Sequence, residues 1–376
     1  MALEGENLLT TPVGQLGIIG MRGCEEITAQ VDKYLSEWRD DAEQGSFQIE
    51  SCCPRFSSGE GKGLIKKSVR GHDIFIISDA FNYGVTYKMY GMNVPMSPDD
   101  HFQDLKRIIA ATGGKARRIT VIMPMLYEGR QHRRVSRESL DCATALQELA
   151  RMGVTNIVTF DPHDPRVQNA VPLIGFDCVQ PKYQMVKALV HTVEDIKIDR
   201  DNITIISPDE GGMSRCIYYS SVLGLDLGMF YKRRDYSRIV GGRNPIISHE
   251  YLGGGIEGKD VIIVDDIIAS GDSVIDIAEQ LKAKKVRRVF VFATFGLFTE
   301  GLERFDEAYK NKLIEKVFTT NLVYRKEELK KKEWYKEVDM SKYIAYIINT
   351  LNYDRSMSDL LDPVKRINKL LGKINK

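Results

Sequence analysis

Val261-Ile262-Ile263-Val264-Asp265-Asp266-Ile267-Ile268-Ala269-Ser270-Gly271-Asp272-Ser273 is the stretch whose reading decides the fold. It begins as a continuous run of β-branched residues, the pattern of a strand buried on both faces of a parallel sheet. Two carboxylates, Asp265 and Asp266, follow where that strand is expected to end. Ser270, Gly271, Asp272 and Ser273 make a small polar turn, and Val274, Ile275, Ile277, Ala278 and Leu281 then recur at helical spacing. Ligands of open α/β sheets bind at strand ends of this kind. The turn would aim backbone N–H groups and a helix N-terminus at an anion such as a phosphate. The carboxylates suit instead the hydroxyls of a sugar, or a Mg²⁺ ion. An ordinary strand, acidic turn and capped helix shares these features, so the remaining residues must discriminate.

Taken whole, the stretch resembles the phosphoribosyl-binding motif of the type I phosphoribosyltransferase fold. That resemblance implies ribose hydroxyls on the acidic pair and a 5-phosphate on the turn. The fold serves two different chemistries, and the flanking sequence chooses between them.

The length of 376 residues suits two domains rather than one core. A net charge of +1 points to neither a nucleic-acid nor a membrane partner. No apolar run reaches the length of a membrane span, and the N-terminus lacks a basic start with an apolar core. A cytoplasmic location is the expectation. The six cysteines, Cys24, Cys52, Cys53, Cys142, Cys178 and Cys216, show no C-x-x-C spacing and read as reduced, mostly buried and free of metal.

Outward from the opening stretch, the chain alternates strands and helices. Strands are expected at residues 16–19, 47–50, 74–77, 118–123 and 156–160, and helices at 25–38, 99–111 (capped by Ser97 or Asp99) and 139–152. A second array follows, with strands at 203–206, 227–231, 261–264 and 289–294. Late helices are expected at 338–352 and 362–371, after a lysine-rich segment, 327–336, that reads as a solvated face. Residues 236–258 are polar and glycine-rich with little periodicity and read as a long loop, a lid or an active-site flap. The predicted class is α/β, with two consecutive domains, each a mostly parallel sheet flanked by helices. The expected boundaries are 1–190, 191–337 and a helical tail, 338–376, that packs back on the first domain.

Several loops carry chemistry. Residues 54–62 are polar and glycine-rich around one ring, Phe56, which can pack locally or stack on a purine. Residues 127–137 crowd four arginines and His132 past a strand end, where polyphosphate is the natural counter-charge. His163 sits between Asp161 and Asp164 beyond another strand end, where carboxylates tune a histidine near neutral pH.

Together these stretches are similar to ribose-phosphate diphosphokinases over most of the chain, from about residue 53 to 361. The resemblance implies that Phe56 stacks on ATP's adenine while Ser58 and Glu60 hydrogen-bond it. It places Arg130 and Gln131 on ATP, His163 beside the phosphates and Mg²⁺, and Asp209 as a second metal-linked carboxylate. Lys232 and Arg234 match the family's basic pair at the root of a flexible catalytic loop. Asp265, Asp266, Ser270, Gly271, Asp272 and Ser273 would hold ribose 5-phosphate. The implied reaction moves the diphosphoryl group of ATP to the 1-hydroxyl of the sugar. The implied assembly is a homo-oligomer, a hexamer or a dimer. Three positions depart from the family's pattern: Ala269 replaces a third acid, Ser214 a lysine, and His132 an aspartate. Three other readings stand beside this one: a phosphoribosyltransferase, a diphosphokinase of a larger ribose 5-phosphoryl compound, and a non-catalytic regulatory subunit.

Overall fold

The computed structural model describes residues 11–42, 45–234 and 246–374. The chain divides into two compact units. Residues 1–180, 322–324 and 340–362 form the first; residues 181–321, 325–339 and 363–376 form the second.

The first unit is built on β1 (Gln15–Gly20), β4 (His72–Ile77), β7 (Arg118–Ile122), β8 (Asn156–Phe160) and β9 (Gly175–Val179), all parallel and adjacent in that order. Every residue of β4 is buried, as a strand covered on both faces requires. Helices α1 (Glu25–Trp38), α2 (Pro98–Ala111) and α3 (Asp141–Arg151) connect these strands. Two small hairpins, β2 (Ser51–Cys52) with β3 (Leu64–Ile65) and β5 (Thr86–Met89) with β6 (Met92–Pro95), project from the α1–β4 and β4–α2 connections. Ser97 caps α2 in a reciprocal box with Asp100. The strand expected at 47–50 is reduced to a single parallel bridge, Ile18 to Gln48, because the backbone turns away to pair β2 with β3.

The second unit holds α4 (Lys182–Thr192), β10 (Ile203–Ser207), α5 (Met213–Leu223), β11 (Asp226–Arg234), β12 (Ile246–Leu252), β13 (Asp260–Ile268), α6 (Asp272–Ala283), β14 (Val289–Gly296), α7 (Glu303–Lys310), β15 (Lys316–Thr320), α8 (Glu327–Lys330) and β16 (Tyr335–Val338). Its sheet runs β12-β11-β10-β13-β14-β15-β16, parallel except where β12 turns back on β11. The chain leaves β10 toward β11 and leaves β13 toward β14, so strand order reverses between β10 and β13. In an open α/β sheet this reversal opens a crevice at the carboxyl ends of the two strands.

Several expectations are corrected here. β13 does not end at Val264. It continues through both carboxylates to Ile268, because β14 extends equally far and pairs Asp265 with Ala293 and Ile268 with Gly296. Part of the expected lid is the ordered strand β12; residues 235–245 lie outside the described residues. The lysine-rich segment is not simply a solvated face. Leu329 and Trp334 are buried in it, and Trp334 stacks on Phe305 at 5.2 Å. Val338 ends β16 rather than opening a helix. Of the cysteines, Cys24, Cys142 and Cys216 are buried, Cys53 and Cys178 are partly covered and Cys52 is exposed.

The chain rejoins the first unit through α9 (Ser341–Asn352) and α10 (Ser358–Leu361), and α11 (Val364–Ile374) packs on α4 in the second. Trp38 of α1 stacks on Tyr346 of α9 at 4.5 Å. Asn352 donates to the buried carboxylate of Asp73 at 2.9 Å and accepts from Arg39 at 2.8 Å, while Arg118 pairs with the same Asp73 at 2.7 Å. No described helix is long and apolar enough to cross a membrane.

Candidate functional site

In the first unit, residues 54–61 close into a tight hairpin. The Phe56 N–H donates to the Glu60 carbonyl at 2.7 Å, and the Gly59 N–H to the Phe56 carbonyl at 2.9 Å. Gly59 takes a φ of +94°, which only glycine adopts without strain. The Ser58 hydroxyl donates to Glu60 Oε2 at 2.9 Å, so these two predicted base contacts are already joined. Phe56 stands 58% exposed at the tip. At the root, Arg55 holds Asp104 of α2 with both terminal nitrogens, one at 2.9 Å, and Arg107 joins the same carboxylate at 2.7 Å. A buried carboxylate shared by two guanidiniums fixes the hairpin to the helix.

The basic loop after β7 is fastened to the same helix. Tyr127 donates its hydroxyl to Asp99 at 2.6 Å and stacks on Phe102 with ring centroids 4.3 Å apart. Helix α2 therefore anchors both predicted ATP loops. Arg130 is exposed, whereas Gln131 spends its amide on the Ser139 carbonyl at 2.9 Å, closing its own loop. β7 and β8 are neighbours, so the loops leaving them meet. His132 Nε2 lies 3.4 Å from Asp164 Oδ2, and its ring centroid lies 5.5 Å from that of exposed His163. The departure at His132 thus acquires a partner that an aspartate there would repel. A hydrogen bond from Arg166 holds the Asp164 carboxyl down at about 2 despite its burial. Glu128 and Asp161 both take left-handed φ values, +54° and +39°. Non-glycine residues in that region cluster at functional turns. Burial, helped by Asp141 and Asp99, also pushes the Glu128 carboxyl up.

In the second unit the two motif turns leave β10 and β13, the strands that flank the reversal. After β10, the Ser207 hydroxyl donates to the Asp209 carbonyl at 2.7 Å, and Asp209 Oδ1 accepts the Gly212 N–H at 3.1 Å. Arg215, in the first turn of α5, reaches Asp266 Oδ2 at 3.8 Å and so ties the turn after β10 to the acidic pair. Burial, then the adjacent Asp266 carboxylate, pushes the Asp265 carboxyl well above the ordinary carboxylate range, and Arg215 pulls it back only in part.

The turn after β13, predicted to hold a sugar phosphate, carries an anion of its own. Asp272 accepts from the Ser270 hydroxyl at 3.0 Å and pairs with Arg304 of α7. Arg304 thereby compensates a carboxylate that would repel a phosphate. Gly271 has a φ of +90°, and a Cβ there would run into the ring of buried Phe305. Gly271→Ala combines left-handed strain with overpacking and is expected to cost about 2–5 kcal/mol. Its thermal unfolding midpoint should fall, and its KM for a phosphorylated sugar should rise; an unchanged midpoint would contradict the collision.

Lys232 and Arg234 lie on β11, where the ladder with β12 shifts register between Arg233 and Arg234. Their side chains lie outside the described residues. Arg215 and Arg304 were not singled out from sequence. Each is one arginine on a helix, and only the fold brings it to an acid.

Residues 16–153 match the family described as the N-terminal domain of ribose phosphate pyrophosphokinase, and residues 243–362 the phosphoribosyl synthetase-associated domain. A Vibrio parahaemolyticus protein named ribose-phosphate pyrophosphokinase is 27% identical over 312 residues, 82% of this chain and 90% of that one. A Staphylococcus aureus protein of the same name is 26% identical over 351 residues, 92% of this chain and 97% of that one. The crystal structure of phosphoribosylpyrophosphate synthetase from Mycobacterium smegmatis shares the fold, with a TM-score of 0.74, 20% identity and coverage of 90% of this chain and 98% of that one.

Proposed function

This chain belongs to the ribose-phosphate pyrophosphokinase family, and on that premise we propose how its residues divide the work. The activity is the family's: ribose 5-phosphate and ATP give phosphoribosyl pyrophosphate and AMP. Such a transfer needs in-line positioning and cations around the developing charge more than covalent help from the protein.

Phe56, Ser58 and Glu60 take the adenine, and Arg130 takes the polyphosphate. Gln131 contributes by holding that loop closed. His163 contacts the phosphates from the turn after β8, with no general base required of it. Asp265 and Asp266 take the ribose hydroxyls, and Ser270, Gly271 and Ser273 the 5-phosphate. Asp272, paired with Arg304, sets the charge of that turn. Lys232 and Arg234 supply the cations of the transfer step. The observation that carries this reading is the acidic pair, polar turn and helix placed at the strand-order reversal of the second sheet.

Mg²⁺ fits the donors present. Among the described residues no group of three or more His, Cys, Asp or Glu side chains could hold a metal alone. Mg²⁺ does not ask for such a cage, since it commonly takes one or two side chains plus substrate phosphates. Asp209 offers a hard oxygen donor of that kind. The ion would neutralise phosphate charge. A cytoplasmic homo-oligomer completes the proposal.

The test is product formation by the purified chain. AMP released from ATP only when ribose 5-phosphate and Mg²⁺ are present supports the reading. Pyrophosphate release that depends on a purine or orotate would support a transferase instead.

Asp265→Asn separates the sugar contact from the rest. It should raise the KM for ribose 5-phosphate about 10-fold, as loss of one buried hydrogen-bond acceptor for a sugar hydroxyl does, and leave that for ATP nearly unmoved. Its stability effect has a defined sign. A carboxyl raised in the folded state stabilises below its unfolded pKa and loses that contribution as pH rises through the folded value. The neutral amide should therefore gain in unfolding midpoint over the parent near pH 8, and the gain should vanish near pH 4. A gain that grew on acidification would contradict the burial argument.

A further inference from the structure

The hairpin of β5 and β6 has no role in the functions assigned above. Met89 pairs with Met92, so Tyr90 and Gly91 form a two-residue turn, and both have left-handed φ, +48° and +81°. Turns of this kind favour Asn, Asp or Gly at their first position. A tyrosine there is strained, and it is 75% exposed, so no packing of the ring accounts for it. The turn is also tied to a specific neighbour. The Tyr90 N–H donates to the carbonyl of Ser57 at 2.9 Å, one residue from Phe56. Met89 fills the space over Gly59, and the Arg55 guanidinium lies over the Tyr87 ring at 4.9 Å. Two exposed aromatic rings thus stand on adjoining hairpins, locked together at backbone level.

We propose that Tyr90 is a second base-stacking residue for ATP, working beside Phe56 and raising selectivity for a large planar base. The inference rests on reading the Phe56 hairpin as the adenine site. Stacking on a base is sequence-tolerant but needs an open aromatic face, and the strained turn holds this one in solvent. Met92, also exposed at 59%, extends the apolar surface.

The test is steady-state kinetics on the full chain carrying Tyr90→Ala, Tyr90→Phe, Tyr90→Asn or Phe56→Ala. Tyr90→Ala and Tyr90→Asn should raise the KM for ATP about 10-fold, with kcat and the KM for ribose 5-phosphate within about twofold. Tyr90→Phe should keep the parent values. Tyr90→Asn should also raise the unfolding midpoint, because Asn tolerates the left-handed turn, so binding and stability move in opposite directions. If Phe56→Ala raises the KM for ATP and neither Tyr90→Ala nor Tyr90→Asn does, this inference falls alone. If none of the three moves it, the adenine site falls as well. A lower sedimentation coefficient for Tyr90→Ala with an unmoved KM for ATP would assign the ring to contact with a second copy and overturn the proposal.

Discussion

Lys232→Ala is expected to lower kcat by about 100- to 1000-fold, the usual cost of removing one preorganised charge from a transition state, while the KM for ATP changes little. The diphosphoryl group carries its greatest charge redistribution in flight, so a cation aimed at it stabilises the transition state more than bound ATP. The position suits such a role. Lys232 lies on β11, one residue before the register shift in its ladder with β12. Irregularities of this sort re-aim side chains and are common beside active sites. Lys232→Arg should restore part of the rate. Pre-steady-state measurement of AMP formation would separate chemistry from product release. A kcat within about threefold of the parent would remove Lys232 from the transfer step.

Asp104→Ala is expected to cost about 3–5 kcal/mol of stability, the penalty for leaving buried charge without its partner. Asp104 and Arg55 retain only 4% and 6% side-chain exposure, and Arg107 shares the carboxylate. Removing it strands two guanidiniums at once. For a unit of this size each kcal/mol shifts the midpoint by about 2–4 °C, so scanning calorimetry should resolve the loss readily. The same change frees the root of the Phe56 hairpin, and the KM for ATP should rise with it. A shift of less than about 2 °C would mean that water replaces the lost partner.

Some of this was legible from local pattern alone. The apolar spacing between Glu25 and Trp38 gave a helix with the observed limits, since that periodicity and its flanks are encoded in the segment itself. The end of β13 was not legible. Asp265 and Asp266 are poor strand residues, and only a partner strand of matching length explains why the backbone stays extended through them. β12 was missed for a related reason: its partner β11 lies beyond residues 235–245, and glycines follow it. The edge strand β9 contains Gly175 and Asp177 and is only partly buried, so no continuous apolar run marks it. In the site, the motif residues at turns could be found because turn chemistry is local. Arg215 on Asp266, Arg304 on Asp272 and Tyr90 beside Ser57 are tertiary meetings of residues that look ordinary in isolation.

Helix α9 bears on how the polypeptide is made. It supplies Asn352 to the Asp73 cluster and a ring to Trp38, yet it is encoded some 160 residues after the continuous N-terminal segment of the first unit ends at Gln180. A ribosome delivers on the order of 5–20 residues per second, so the early segment waits many seconds with α1 uncovered and a buried carboxylate short of a donor. A gene fragment stopped at Gln180 would release that half permanently in the same unfinished condition.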